Sequence, residues 1–231
     1  MIHVGVIGAM KVEISYLVSV MKNIKTQKIA NLVFYIGNIK NTNVVIVQSG
    51  VGKVNAAMVA TLLITIFKVT HLINTGVAGG LEKGLHLFDI IISKDVVHHD
   101  MDAVAFGYKH CEVPGLNTIA FPADKKLRTL AKEAFLEGQF NKKFVEGRVA
   151  TGDVFVNSAK LKKEIRERCN ASCCEMEGAA VAQVAYLHKI PFVIIRAISD
   201  MAENTQEVYR EEKAAECSSF LVKHMIANII G

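Results

Sequence analysis

The feature that most constrains the fold of this chain is a repeated exchange between short apolar runs and longer segments of helical periodicity. Residues 3–9 read as a buried strand, and residues 10–21 as a helix with Met10, Ile14, Leu17 and Met21 along one face. Residues 32–36 and 44–47 flank a polar turn containing Asn38, Lys40, Asn41 and Asn43, which predicts a hairpin. A long helix is predicted over 54–67, followed by strands over 71–74 and 89–97. Farther on, helices over 124–137, 159–168, 177–188 and 210–230 alternate with strands over 144–150 and 191–198. Such an order predicts an α/β three-layer sandwich, its central mixed sheet flanked by helices. With 231 residues and no Pro/Gly-rich linker, the chain 1–231 is expected to form a single domain.

Charge and cysteine usage narrow the classes of partner. The net charge of +5 invites a nucleic-acid reading. The basic residues, however, gather at Lys125, Lys126, Arg128 and Lys132, and again at Lys160, Lys162, Lys163, Arg166 and Arg168, on amphipathic helices. Solvated helix faces explain them, and no aromatic-and-basic strand or helix-turn-helix pattern accompanies them. No nucleic-acid partner is expected. The most apolar stretch, residues 56–67, falls short of the roughly 20 residues needed to span a bilayer, so no membrane partner is expected either. The five cysteines are odd in number, form no C-x-x-C pair and follow no signal peptide, which points to a reducing cytoplasm.

Several motifs lead away from cofactor chemistry. Gly50-Val51-Gly52-Lys53 lacks the spacing of a phosphate loop and reads as a tight strand-to-helix turn. Gly5-x-x-Gly8 does not complete a dinucleotide fingerprint. The run His98-His99-Asp100-x-Asp102 holds metal-ligand types, but neighbouring side chains on a short loop point apart, and no metal is expected. No Gly-x-Ser-x-Gly elbow offers a serine nucleophile. No cofactor is expected.

The informative residues stand where apolar strands end, which is where open α/β sheets bind ligands. Glu13, Glu177 and Asp200 each follow an apolar run by a few residues, so all three can meet above one sheet edge. Taken singly, Glu13 reads equally well as an exposed helix residue, Glu177 as a helix N-terminal acid and Asp200 as a helix cap.

The segments around these acids carry a resemblance. They include Gly8-Ala9-Met10…Glu13, Ser49-Gly50-Val51-Gly52-Lys53-Val54-Asn55 and Asn74-Thr75-Gly76-Val77-Ala78-Gly79-Gly80. They continue with His99-Asp100-x-Asp102…Ala105-Phe106-Gly107-Tyr108, Thr151-Gly152-Asp153-x-Phe155, Glu175-Met176-Glu177-Gly178 and Arg196-Ala197-Ile198-Ser199-Asp200. In this order, over nearly the whole chain, the sequence resembles the nucleoside phosphorylase/nucleosidase superfamily. Within it the chain is similar to the bacterial 5′-methylthioadenosine/S-adenosylhomocysteine nucleosidases, and a partly barrel-like central sheet is expected.

The resemblance implies hydrolysis of an N-glycosidic bond, releasing adenine and a 5-substituted ribose. It implies Asp200 as the acid at adenine N7, oriented by Ser199, and Glu13 as the base that activates water. A carboxyl that is protonated near neutrality needs burial or neighbouring carboxylates. Glu175 and Glu177 would both bind substrate, with Glu177 at the ribose hydroxyls and Met176 at the ribose face. Phe155 would stack on adenine, the backbone of Val156 would read its edge, and Gly79 would let backbone approach the substrate. The thioether end would meet Met10 and Val51, together with Ala103, Phe106, Tyr108 and Pro114 from the other subunit of a homodimer. The expected partners are thus a small purine nucleoside, water and a second copy.

Three segments depart from the family pattern. Lys11-Val12 and Cys173-Cys174 differ in composition, and core filling accounts for the cysteines. The stretch 202–215 is short and lacks a Ser-Phe-x-x-Phe run, leaving Tyr209 to stand in for a phenylalanine. Alternatives left open are a phosphorylase, a nucleosidase for a futalosine-type nucleoside, and a noncatalytic nucleoside sensor.

Overall fold

Ten strands form one sheet in a computed structural model, which describes residues 2–203 and 209–229. In chain order the elements are β1 (His3–Gly8), α1 (Lys11–Ser19), β2 (Lys22–Ile29), β3 (Leu32–Ile39), β4 (Thr42–Gln48), α2 (Lys53–Thr65), β5 (His71–Gly80) and β6 (Ile90–His98). They continue through β7 (Phe121–Pro122), α3 (Lys125–Glu137), β8 (Phe144–Thr151), α4 (Ala159–Cys169), β9 (Cys173–Glu175), α5 (Gly178–His188), β10 (Phe192–Asp200) and α6 (Glu211–Asn228).

The sheet has a closed part and an open part. Strands β5, β10, β6, β8 and β9 pair in a ring, because β10 joins β6 on one side and β5 on the other. From β5 the sheet continues outward as β1, β4, β3 and β2. Parallel and antiparallel pairs mix: β1 runs parallel to β4 and β5, while β2, β3 and β4 form an antiparallel meander. This is the mixed, partly barrel-like sheet in a three-layer α/β fold.

Two cores cover its faces. One holds α2 and α5, with Val59, Leu63, Val181 and Ala185 against Ile7, Leu72 and Ile194. The other holds α1, α3 and α6, with Leu17, Ala131, Leu221 and Met225 against Val6, Ile73 and Ile195. Strands buried on both faces read as continuous apolar runs, and β10 is buried at all nine of its positions.

Several elements differ from their expected spans, and β7 arises within an expected loop. The first helix stops at Ser19, and the chain enters β2, where no strand was predicted. Seven of the eight β2 residues are exposed, so the strand shows no apolar alternation; as an edge strand it carries Lys22, Lys25 and Lys28, which deter pairing with another chain. Strand β5 runs six residues past Asn74, through its glycines. There the ring closes tightly: Gly79 faces Cys174 across one pair and Asp200 across another. A Cβ on Gly79 would lie 2.9 Å from Ala202 Cβ and 3.1 Å from Asp200 Oδ1, so this point of approach excludes a side chain. Among the described residues, no helix is long and apolar enough to cross a membrane.

Candidate active site

The carboxyl ends of β1, β5, β9 and β10 open onto a cavity of about 260 Å³. Its walls hold Glu13, Glu175, Glu177, Asp200 and Glu211, and no Lys, Arg or His among the described lining residues. Eleven residues singled out from the sequence line it: Met10, Glu13, Val51, Gly79, Phe155, Val156, Glu175, Met176, Glu177, Ser199 and Asp200. Ala103, Phe106, Tyr108 and Pro114 do not line this cavity in their own chain; they belong to a segment of largely exposed residues, with Phe106 85% exposed.

Glu13 sits in the first turn of α1 but is only 3% exposed. Its Oε2 accepts from the Met10 N–H at 2.9 Å, reaching back to the residue before the helix, and its Oε1 accepts from the Val77 N–H at 3.1 Å. Gly76 makes room for it, since a Cβ there would collide with Oε1 and come within 3.0 Å of Cδ. Burial pushes this carboxyl above its ordinary range, against the pull of the Arg196 charge and of the N–H groups around it.

Asp200 ends β10 at a register shift against β5 that falls between Ile198 and Asp200. In a regular strand neighbouring side chains face opposite ways; a bulge re-aims one of them, and here both Ser199 and Asp200 reach the cavity. Ser199 Oγ donates to Asp200 Oδ2 at 2.8 Å, and the Ala202 N–H donates to Oδ1 at 2.9 Å.

Glu177 precedes α5 but does not cap it through its side chain. Instead Oε1 accepts from the Gly52 N–H at 2.8 Å, at the start of α2. Gly50 (φ +84°) and Gly52 (φ +99°) form the tight left-handed turn that presents this amide. Burial, and next the Glu175 charge, raise the Glu177 carboxyl to about 7.

A buried cation holds the acids together. Arg196 lies on β10 at 1% exposure, pairs with Glu175 and donates to Asn74 Oδ1 at 2.6 Å, with Glu177 Oε2 3.9 Å away. Burial opposes its charge, yet Glu175, Glu177 and Glu13 together hold its proton more tightly than usual. Glu175 is further fixed by the Thr151 hydroxyl and by the amides of Glu177 (3.1 Å) and Gly178 (2.7 Å). Arg196, Thr151 and Asn74 received no role from the sequence. The signal was a lone charge inside the apolar run 192–198, since a buried arginine requires a buried acid.

The side of the cavity expected to hold a base is aromatic. Phe155 and Tyr209 both line it, their rings edge to face with centroids 6.0 Å apart, so Tyr209 does stand at this site. Ala9, Val77, Ala78, Val154, Cys174 and Glu211 complete the described lining and were not expected there. His98 and His99 are buried instead: His98 Nε2 lies 2.9 Å from Gln183 Oε1, and His99 packs on Gly152.

Known proteins share this architecture. A family model described as the phosphorylase superfamily matches residues 3–227. A curated relative from Bacillus subtilis, 5′-methylthioadenosine/S-adenosylhomocysteine nucleosidase, is 43% identical over 98% of this chain and 99% of its own. A solved nucleosidase of the same name from Neisseria meningitidis, in complex with methylthio-immucillin-A, superposes with a TM-score of 0.95 at 36% identity, covering 99% of this chain and 100% of its own. The futalosine hydrolase of Helicobacter pylori gives a TM-score of 0.90 at 30% identity, over 99% and 98% of the two chains. By sequence and by fold, this chain belongs to the 5′-methylthioadenosine/S-adenosylhomocysteine nucleosidases, N-glycosyl hydrolases of the phosphorylase superfamily.

Proposed function

We propose that this chain hydrolyses the N-glycosidic bond of 5′-methylthioadenosine and S-adenosylhomocysteine, and of 5′-deoxyadenosine, a step of methionine salvage. The observation that carries this reading is a cavity with five carboxyl groups and no cationic side chain among its described walls. Carboxylates favour an oxocarbenium-like sugar and repel a phosphate dianion, which is what separates hydrolysis from phosphorolysis.

In this reading Asp200 protonates adenine N7 as the bond to C1′ stretches, held in place by the Ser199 hydroxyl and the Ala202 amide. Glu13 takes a proton from the attacking water; its two backbone hydrogen bonds fix the carboxylate against α1 and β5. General catalysis of this kind contributes about 10²–10⁴-fold. Glu177 and Met176 hold the ribose, with Glu175 as the brace between Arg196 and the Glu177 amide. Phe155 stacks on adenine with Tyr209 at its edge, the Val156 backbone reads the purine edge, and Gly79 lets β5 approach the ring.

Met10 and Val51 receive the thioether, and Ala103, Phe106, Tyr108 and Pro114 of a second copy close that end. A homodimer is supported by an uncovered apolar face. Helices α2 and α5 pack side by side with Val54, Met58, Tyr186 and Leu187 directed outward, and Val54 is 81% exposed. A helix apolar on all sides requires cover on all sides. The chain 1–231 acts as one domain, in a reducing cytoplasm that suits its five free thiols.

The test is release of free adenine from methylthioadenosine by the purified protein, with and without phosphate. Equal rates and free methylthioribose are expected. Phosphate-dependent release with a sugar 1-phosphate would overturn the hydrolase, and no release from any purine nucleoside would favour a sensor.

A further inference from the structure

Outside the cavity, two cysteines far apart in sequence meet with no role in the reaction above. Cys111 Sγ and Cys169 Sγ lie 3.3 Å apart, both thiols free, in a small core with Leu81, Val97, Ala150 and Ile165. Cys169 is the last residue of α4, and its carbonyl accepts from Arg148 Nη1 at 2.9 Å. Cys111 is the buried anchor of a segment whose neighbours, residues 102–110, are exposed or half-buried. It holds a left-handed backbone (φ +66°) and its amide donates to the Met101 carbonyl at 3.0 Å. The two sulfurs are already in contact, so closing a bond between them takes side-chain rotation and a small approach.

We propose that Cys111 and Cys169 form a reversible oxidation site, a dithiol that a hydroperoxide converts to a disulfide tying the 101–120 segment to the end of α4. The Cys111 thiolate attacks the peroxide, the O–O bond breaks, and Cys111 becomes a sulfenic acid while hydroxide (or an alkoxide) leaves. The Cys169 sulfur then attacks the Cys111 sulfur; its proton goes to the departing hydroxide, giving the disulfide and water. Two thiols lose two electrons, and the peroxide gains them. A small thiol reverses the step by exchange.

The division of roles follows from the surroundings. Cys169 ends α4, where the negative end of the helix dipole disfavours a thiolate, whereas Cys111 belongs to a segment whose neighbours are largely exposed and through which a peroxide can approach. Cys111 is therefore the attacking sulfur and Cys169 the resolving one. Cys173 and Cys174 are buried with raised proton affinities, and burial raises that of Cys217 as well. These three are expected to stay reduced.

The experiment treats the folded, pre-reduced protein with hydrogen peroxide, denatures it in an alkylating agent, and maps peptides without reduction. One cross-linked pair, Cys111 with Cys169, lighter by two hydrogens and released by dithiothreitol, is expected, with the other three cysteines alkylated. Cys169→Ser should stall at a Cys111 sulfenic acid that dimedone traps, and Cys111→Ser should leave Cys169 reduced. The oxidised protein should also melt at a higher temperature, because the bond closes a span of 58 residues in the unfolded chain. Full alkylation of both cysteines at a peroxide dose that oxidises a free thiol would overturn the proposal. So would cross-linking to Cys173, Cys174 or Cys217 instead.

Discussion

Glu177 shows what a single side chain contributes at this site. Its carboxyl is raised from 4.5 to about 7 by burial and by Glu175, so the folded protein binds a proton there that the unfolded chain has lost. Stability from this group therefore falls as pH rises from about 4.5 through about 7, and is level above that. Replacing Glu177 with Gln keeps an acceptor for the Gly52 amide and removes the charge. The melting temperature of Glu177→Gln, relative to the parent, should accordingly rise between pH 5 and pH 8, while ribose binding weakens; a constant difference across that range would contradict the assignment. The three acids drew notice because a charge beside an apolar strand needs a reason, but each also fitted an ordinary structural place, and only the resemblance set them together. Arg196 was not legible, because its partners Glu175 and Asn74 come from β9 and β5, which no local pattern brings together.

At the scale of elements, the start of α2 ties two parts of the site to each other. Its first amides are capped from outside the helix: Glu177 accepts from Gly52 and Asp153 Oδ1 accepts from Lys53 at 2.8 Å. Lys53 Nζ also reaches Asp100 at 2.6 Å, and Asp100 accepts from the Asp153 amide at 3.1 Å. This network fixes the turn that carries Phe155. Asp153→Ala removes a cap worth about 1 kcal/mol. It should raise KM several-fold with a smaller change in kcat, and Asp153→Asn should recover most of the loss; equal kinetics in the Ala variant would separate the turn from substrate binding. Strands β1, β4 and β10 were legible because both faces are buried. Strand β2 was not, since its stability rests on pairing with β3 rather than on apolar faces of its own. The length of β5 was hidden by glycines, which as a rule mark the end of a strand but here permit the ring to close.

For the whole molecule, ring closure is what turns distant residues into one site. Pairing of β10 with both β5 and β6 sets Asp200 beside Gly79, and the β1–α1 turn sets Glu13 beside Val77. The same arrangement leaves the α2/α5 face uncovered. With the proposed homodimer, the parent should sediment as a dimer and Val54→Glu as a monomer with weaker binding of the thioether end; a monomeric parent, or a dimer unchanged by the substitution, would count against this face as the interface. In the proposed reaction Asp200 and Glu13 divide the work on one bound nucleoside. Titrating Asp200→Asn with methylthioadenosine while following free adenine separates binding from this division. Binding should stay within about tenfold of the parent, with turnover reduced by about 10²–10⁴-fold. Adenine release at the parent rate would contradict that division.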